Sequence, residues 1–333
     1  MEVCRSPRKF ALGPRAALCE VSIFPGWTAF EARPARLWNR RGGTSGASRR
    51  ATSYAGAVTD HSSPARLRWE LGIVLALSFG ASGVYAVVTI IERLTREAAL
   101  SSQTATINRP LAESPVFDLV YQLLAFVFGL APVALVIFLL WRDRRPHLAG
   151  LGLGRPAPEL TERRPSPLSK RSNGTRGGWW LRETGRGFAL AALIGVPGLG
   201  FYLFAKWIGI NTTVVPTALD AFWWTVPVLV LQALRAALSE ELIVVAYFFD
   251  RMRRLGVGPV ATVVSSALLR GSYHLYQGFG GFIGNVVMGL VFGWAYQRWG
   301  RSLPLVVAHW LLDIVSFAGY PLAVALWPAL FAA

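Results

Sequence analysis

Long apolar runs dominate this chain and fix the solvent in which it can fold. Between Leu71 and Phe317 apolar stretches alternate with short polar or basic breaks, and several exceed the roughly 18 apolar residues that mark a helix able to cross a bilayer. Only 16% of the residues are charged and 53% are hydrophobic, whereas a soluble domain carries about a quarter charged residues. The pattern predicts spans at about 71–91, 116–141, 187–204, 222–249, 258–276, 282–297 and 303–317, with 321–331 as a short further segment. The expected fold class is all-α, a polytopic transmembrane helical bundle of about seven to eight spans.

Composition divides the rest. Residues 1–66 are rich in Arg, Ser, Gly and Pro and lack helical periodicity, as expected of a disordered basic tail or of a start placed too far upstream. Residues 67–141 hold the first two spans, 142–186 form a basic loop, and 187–333 carry the remaining spans. The net charge of +16 sits in the tail and the loops. Basic loops face the cytoplasm and attract anionic headgroups, so membrane lipid is the expected partner of this charge. No nucleic-acid-binding module accompanies it. A single orientation places the 142–186 loop, Arg251 to Arg254, Arg298 to Arg301 and the N-terminus together in the cytoplasm, in the plasma (inner) membrane of a bacterium. The only cysteines, Cys4 and Cys19, lie in the tail and offer no disulfide framework and no CxxC pair. Metal chemistry would have to use histidines and carboxylates.

Polar residues inside apolar spans are candidates for function, because a charge at the bilayer centre costs about 2.5 to 3.5 kcal/mol on insertion scales. Here they are Glu240 and Glu241, then Arg270 and His274, then His309 and Asp313. The chain has 4 histidines, and the two outside this set, His61 and His147, lie in loops. His309 and Asp313 are spaced i, i+4 on one helix face, as are Arg270 and His274. A breaker cluster, Gly256-Val257-Gly258-Pro259, marks a turn. An antiparallel hairpin folded about Val257 brings Glu240 level with His274 and Val244 level with Arg270. At 1.5 Å per residue Glu240 lies ~15 Å from Asp250 and His309 ~9 Å from Leu303, which would gather the set in the cytoplasmic half of the bilayer. Peptide hydrolysis needs an activated water, a general base and donors for the oxyanion. A buried glutamate with a histidine beside it supplies the base. Two histidines and a glutamate, here Glu240, His274 and His309, could instead hold zinc.

At these residues the chain resembles the CPBP family, the CAAX-protease and bacteriocin-processing (Abi-type) membrane enzymes, whose motifs are EExxxR, FxxxH and HxxxN or HxxxD. The corresponding stretches are Glu240-Glu241-Leu-Ile-Val-Val245, Arg270-Gly-Ser-Tyr-His274 and His309-Trp-Leu-Leu-Asp313, in the family's order and within residues 187–318. Val245 stands where the family has Arg, and Arg270 where it has Phe. Because Arg270 is level with the neighbour of Val245, it is expected to take over the ion pair to Glu241. The resemblance implies a CAAX-protease-like core acting as an endopeptidase on a membrane-associated, prenylated or leader peptide. In it Glu240 and His274 would activate water, His309 and Asp313 would stabilise the oxyanion, and Glu241 would be structural. The resemblance implies no obligatory metal, and the orientation set by the basic loops leads to the expectation that the site opens to the cytoplasm. Two other classes compete: a non-catalytic scaffold or immunity protein of the same fold, and a small proton-coupled transporter relaying protons through the buried Glu and His.

Overall fold

The computed structural model describes residues 63–140, 148, 151–154 and 176–319. The tail to residue 62, most of the basic loop, His61, His147, both cysteines and the 321–331 segment lie outside the described residues. Helix α1 is Pro64–Leu94, α2 Pro115–Leu139 and α3 Arg176–Trp207. Helix α4 covers 225–254, α5 is Pro259–His274, α6 Phe279–Trp299 and α7 Leu303–Gly319. Among them α1, α2, α3 from Gly177, and α6 are long and apolar enough to cross a membrane. Helix α4 carries Arg235, Glu240 and Glu241, and α5 and α7 are shorter. The protein is thus a mostly helical membrane protein.

Proline and glycine set the boundaries. Pro64, Pro115 and Pro259 open α1, α2 and α5, where a missing N–H costs nothing because the first turn has no partner for it. Gly300, at φ 62°, ends α6 in the left-handed conformation that closes a helix. The α4–α5 turn falls where the breaker cluster placed it, with α4 ending at Arg254. Helix α3 begins at Arg176, inside the stretch read as loop. Its buried Glu183 is paired with Arg182 and Arg186, so the helix persists through its charged first turns.

Side-chain bonds show which helix ends lie together. Arg251 near the end of α4 pairs with Glu70 of α1 at 2.6 Å and donates to the carbonyl of Leu139 at the end of α2. Ser302, before α7, donates to the carbonyl of Leu151. These ends, with the α4–α5 and α6–α7 turns, form a basic end of the bundle. At the opposite end the structure adds an element that apolar patterning does not reveal. Two short strands, β1 Thr104–Asn108 and β2 Thr213–Thr217, pair in parallel, with Thr104 opposite Thr213 and Asn108 opposite Thr217. Both follow helices that leave the basic end, α1 and α3, so they run in the same direction; their Thr, Val and Ile residues suit a strand. Helix α6 starts at Phe279, a turn before the span start expected at about 282.

The core lies against α4. Val245, Phe248, Phe249, Phe292, Leu305 and Ala308 form one buried cluster, and Val74, Val136, Leu242, Ile243 and Tyr247 another. Helices α5 and α6 touch almost backbone to backbone: a Cβ on Gly289 would sit 2.8 Å from the Cα of Ala267, and one on Gly271 2.5 Å from Val286. That closeness seals the α5 side chains that face α4.

Candidate active site

Helix α4 is not uniform. Residues Glu240–Tyr247 wind as a π-helix between two α-helical arms, and all of them are buried. Such i→i+5 turns place more residues in a given height than an α-helix, and they recur at functional sites. Both glutamates thereby reach a single guanidinium on α5. Arg270, wholly enclosed, donates from Nη1 to Glu240 Oε2 at 3.0 Å and from Nη2 to Glu241 Oε1 at 2.6 Å. Its guanidinium carbon lies 5.5 Å from the centre of the Phe292 ring on α6. The expected contact of Arg270 with Glu241 is present, and Arg270 bridges Glu240 as well.

The α4–α5 register differs from a simple mirror about Val257. Ser266 Oγ donates to the carbonyl of Val244 at 2.7 Å, where the mirror put Arg270. The compressed π-turns lower Glu240 toward the turn, so its carboxylate meets Arg270 and Tyr273 rather than His274. The Tyr273 hydroxyl donates to Glu240 Oε2 at 2.9 Å. His274 lies next along α5, with Nδ1 3.0 Å from the carbonyl of Arg270 and its ring 4.8 Å from that of Tyr273. That contact occupies Nδ1 and leaves Nε2 as the ring nitrogen available to a substrate or water.

From α7, His309 Nδ1 lies 2.8 Å from Glu241 Oε1, and its Nε2 lies 3.5 Å from Asp313 Oδ2 one turn on. Glu241 holds the imidazole through Nδ1, and the longer approach to Asp313 leaves the Nε2 side able to turn toward another acceptor. The set therefore meets around α4, but midway along α4 and α6 rather than in the half nearest the basic end, because Arg270 and His274 sit at the far end of α5.

The two glutamates differ in what remains open to them. The Glu241 side chain is 0% exposed; its Oε1 takes both Arg270 and His309, and its Oε2 is buried without a partner. The Glu240 side chain keeps 9% of its surface, and both of its protein donors share Oε2. Glu240 Oε1 is thus the carboxylate oxygen free to receive a water.

The zinc alternative can be tested on these atoms. One donor atom each from Glu240, Glu241 and His309 lies within 4.8 Å of the others, whereas His274 stands outside that group. In that group Glu241 stands with Glu240 and His309. Arg270 holds both carboxylates, so a divalent ion there would meet a fixed positive charge at contact distance in surroundings that screen poorly. The donor set does not fit a metal while Arg270 is in place.

Tyr273 escaped the reading of the sequence, although it lies three residues from Arg270 on the same helix face. Arg235, on α4 before the glutamates, donates to Gln232 Oε1 at 2.8 Å. Asn285 donates to the carbonyl of Gly281 within its own helix, and Gln277 donates to the Tyr276 hydroxyl.

No curated protein and no solved structure matches the chain. A family model does match residues 222–315, the stretch that supplies every side chain of this site. Those residues are recognised as Rce1-like, of the type II CAAX prenyl endopeptidases, the protease family whose motifs the chain resembles.

Proposed function

We propose that the protein is an intramembrane endopeptidase that cuts a membrane-associated, prenylated or leader peptide with a water activated by Glu240 and His274. The observation that carries this reading is the half-open Glu240 carboxylate, held on one oxygen by Arg270 and Tyr273 while the other stays available. Water on that oxygen would give its proton to the carboxylate as it attacks the peptide carbonyl, and Glu240 would return the proton to the leaving amine. His274 Nε2 would orient the water. His309, held through Nδ1 by Glu241, would donate from Nε2 toward the oxyanion. Arg270 and Glu241 hold this geometry without taking part in the chemistry.

The test uses the purified full chain in proteoliposomes with a membrane-anchored peptide, the cut being identified by mass spectrometry. His274→Ala is expected to lower single-turnover cleavage by about 100-fold or more. Adding Glu240→Gln to it should cost little further, because residues acting as one catalytic unit fail together. Multiplied losses in the double variant would refute a shared water.

A further inference from the structure

The first turns of α3 bury a carboxylate that the proposed chemistry does not use. Glu183 is wholly enclosed and holds two arginines of its own helix. Arg182 Nε donates to its Oε1 at 3.3 Å, and Arg186 Nη1 reaches Oε1 at 3.0 Å and Oε2 at 3.1 Å. A carboxylate taken out of water is costly unless opposite charge and donors surround it, and these guanidiniums supply both. Trp179, Glu183 and Arg186 follow one another at spacings of four and three residues, so they share one face of α3. That face meets the end of α6 and the start of α7. The Arg186 guanidinium lies 5.0 Å from the centre of the Trp299 ring, and a Cβ on Gly187 would sit 2.6 Å from Val307.

The α6–α7 turn brings a third guanidinium. Arg301, half-buried, lies within electrostatic reach of Glu183, Arg182 and Arg186 together. Its hydrogen bond goes to the Gly154 carbonyl at 3.4 Å, while the ion pairs of Glu183 go to Arg182 and Arg186. Burial holds the Arg301 guanidinium below its usual range; Glu183 opposes that, and Arg182 and Arg186 add to it. Among the described residues, three guanidiniums thus converge on one carboxylate and leave positive charge uncompensated. The indole N–H of Trp179, buried without a partner, adds a donor on the same helix face.

The neighbours of these arginines select the kind of anion. Trp180 and Leu181 are exposed beside them, and Phe188 is exposed two turns further along α3. Tryptophan and arginine at the end of an apolar helix mark the level of lipid headgroups. Guanidinium forks match phosphate oxygens, and the apolar flank of α3 continues in the direction that acyl chains would take. Cationic ends stay in the cytoplasm, where the facing leaflet carries anionic lipid.

We propose that Arg182, Arg186 and Arg301, gathered about Glu183, form a binding site for the phosphate headgroup of one anionic phospholipid in the leaflet at the basic end. The site goes beyond the peptidase reading and does not depend on it. It is also distinct from a general attraction of basic loops to a charged surface, because Arg298, exposed at the same end, takes no part in it.

The experiment is a lipid titration of the purified, delipidated full chain in a neutral detergent, read by native mass spectrometry. Dioleoylphosphatidylglycerol is compared with dioleoylphosphatidylcholine. The unaltered protein is expected to bind one phosphatidylglycerol about tenfold or more tightly than phosphatidylcholine. Arg301→Gln and Arg182→Gln should each weaken phosphatidylglycerol binding by about fivefold and leave phosphatidylcholine binding unchanged. Arg298→Gln should change neither. Arg182 is exposed, so its variant carries the test should Arg301→Gln fail to accumulate. Equal binding of the two lipids, or no loss from either cluster variant, overturns the site. Equal losses from Arg298→Gln and Arg182→Gln would show a diffuse basic surface and overturn it as well. Inorganic phosphate alone that raises the melting transition through the same arginines would identify a soluble phosphate ligand and overturn the lipid assignment.

Discussion

Replacing Arg270 by Phe restores the residue that the family motif has there and removes the guanidinium that bridges the paired glutamates. The loss can be followed atom by atom. Glu241 loses its 2.6 Å donor while fully enclosed, retaining only His309 on Oε1, and its Oε2 already lacks a partner. Breaking a buried pair by removing one member costs about 3 to 5 kcal/mol, a large share of the roughly 5 to 15 kcal/mol that holds a domain folded. Adding Val245→Arg returns a guanidinium four residues along α4 from Glu241, close enough to reach back to it. The new side chain must enter the cluster formed with Phe248, Phe249 and Phe292, and overpacking there costs about 1 to 3 kcal/mol. The double variant should therefore recover about half of the loss. Glu241→Gln combined with Arg270→Met, which discharges both partners, should lose less than Arg270→Phe alone. Reversible unfolding in mixed detergent micelles, compared as a double-mutant cycle, measures these differences. If the double variant with Arg at 245 unfolded no later than Arg270→Phe, the two positions would not serve the same carboxylate and the transposed-charge account would fail.

Three further outcomes follow from the geometry. Tyr273→Phe removes one of the two donors to Glu240 Oε2 and should slow cleavage while costing about 1 to 3 kcal/mol of stability or less; an unchanged rate would show that the hydroxyl does not tune the base. Gly289→Val pushes a side chain against the Ala267 backbone and should destabilise the α5–α6 contact by about 1 to 3 kcal/mol, read as an earlier melting transition; an unchanged transition would contradict that close approach. Prolonged dialysis against a strong chelator should leave cleavage within twofold, and loss restored by zinc alone would show that Arg270 does not exclude a metal.

Much of the site was legible because helical spacing is stiff. His309 and Asp313 meet one turn apart as their numbers require, and the Gly256 to Pro259 breaker fixed the hairpin closely enough to bring Arg270 to Glu241. What the sequence hid was the change of winding at Glu240–Tyr247. A π-turn has no periodic signature in a stretch where every residue is apolar or buried, so the level of His274 relative to Glu240 was misjudged. Tyr273 was overlooked because an aromatic on an apolar face is usually core, and only its hydroxyl partner distinguishes it. The strand ladder was invisible for a related reason: strands of five residues fall below the length at which alternation can be told from irregular chain. The start of α6 came a turn earlier than its apolar pattern because Gly280, in its first turn, is there for close approach to Ala205 and Asn211.

The proposed chemistry makes Glu240, and not its neighbour, the base. It is tested most directly by the single-turnover rate of Glu240→Gln on a membrane-anchored peptide, taken together with its melting transition. The amide keeps the shape of the carboxylate and an acceptor for Tyr273 but cannot take a proton. The rate should fall by about 100-fold to 10,000-fold while the protein stays folded in the membrane. A folded Glu240→Gln protein that cuts within tenfold of the unaltered rate would contradict the account.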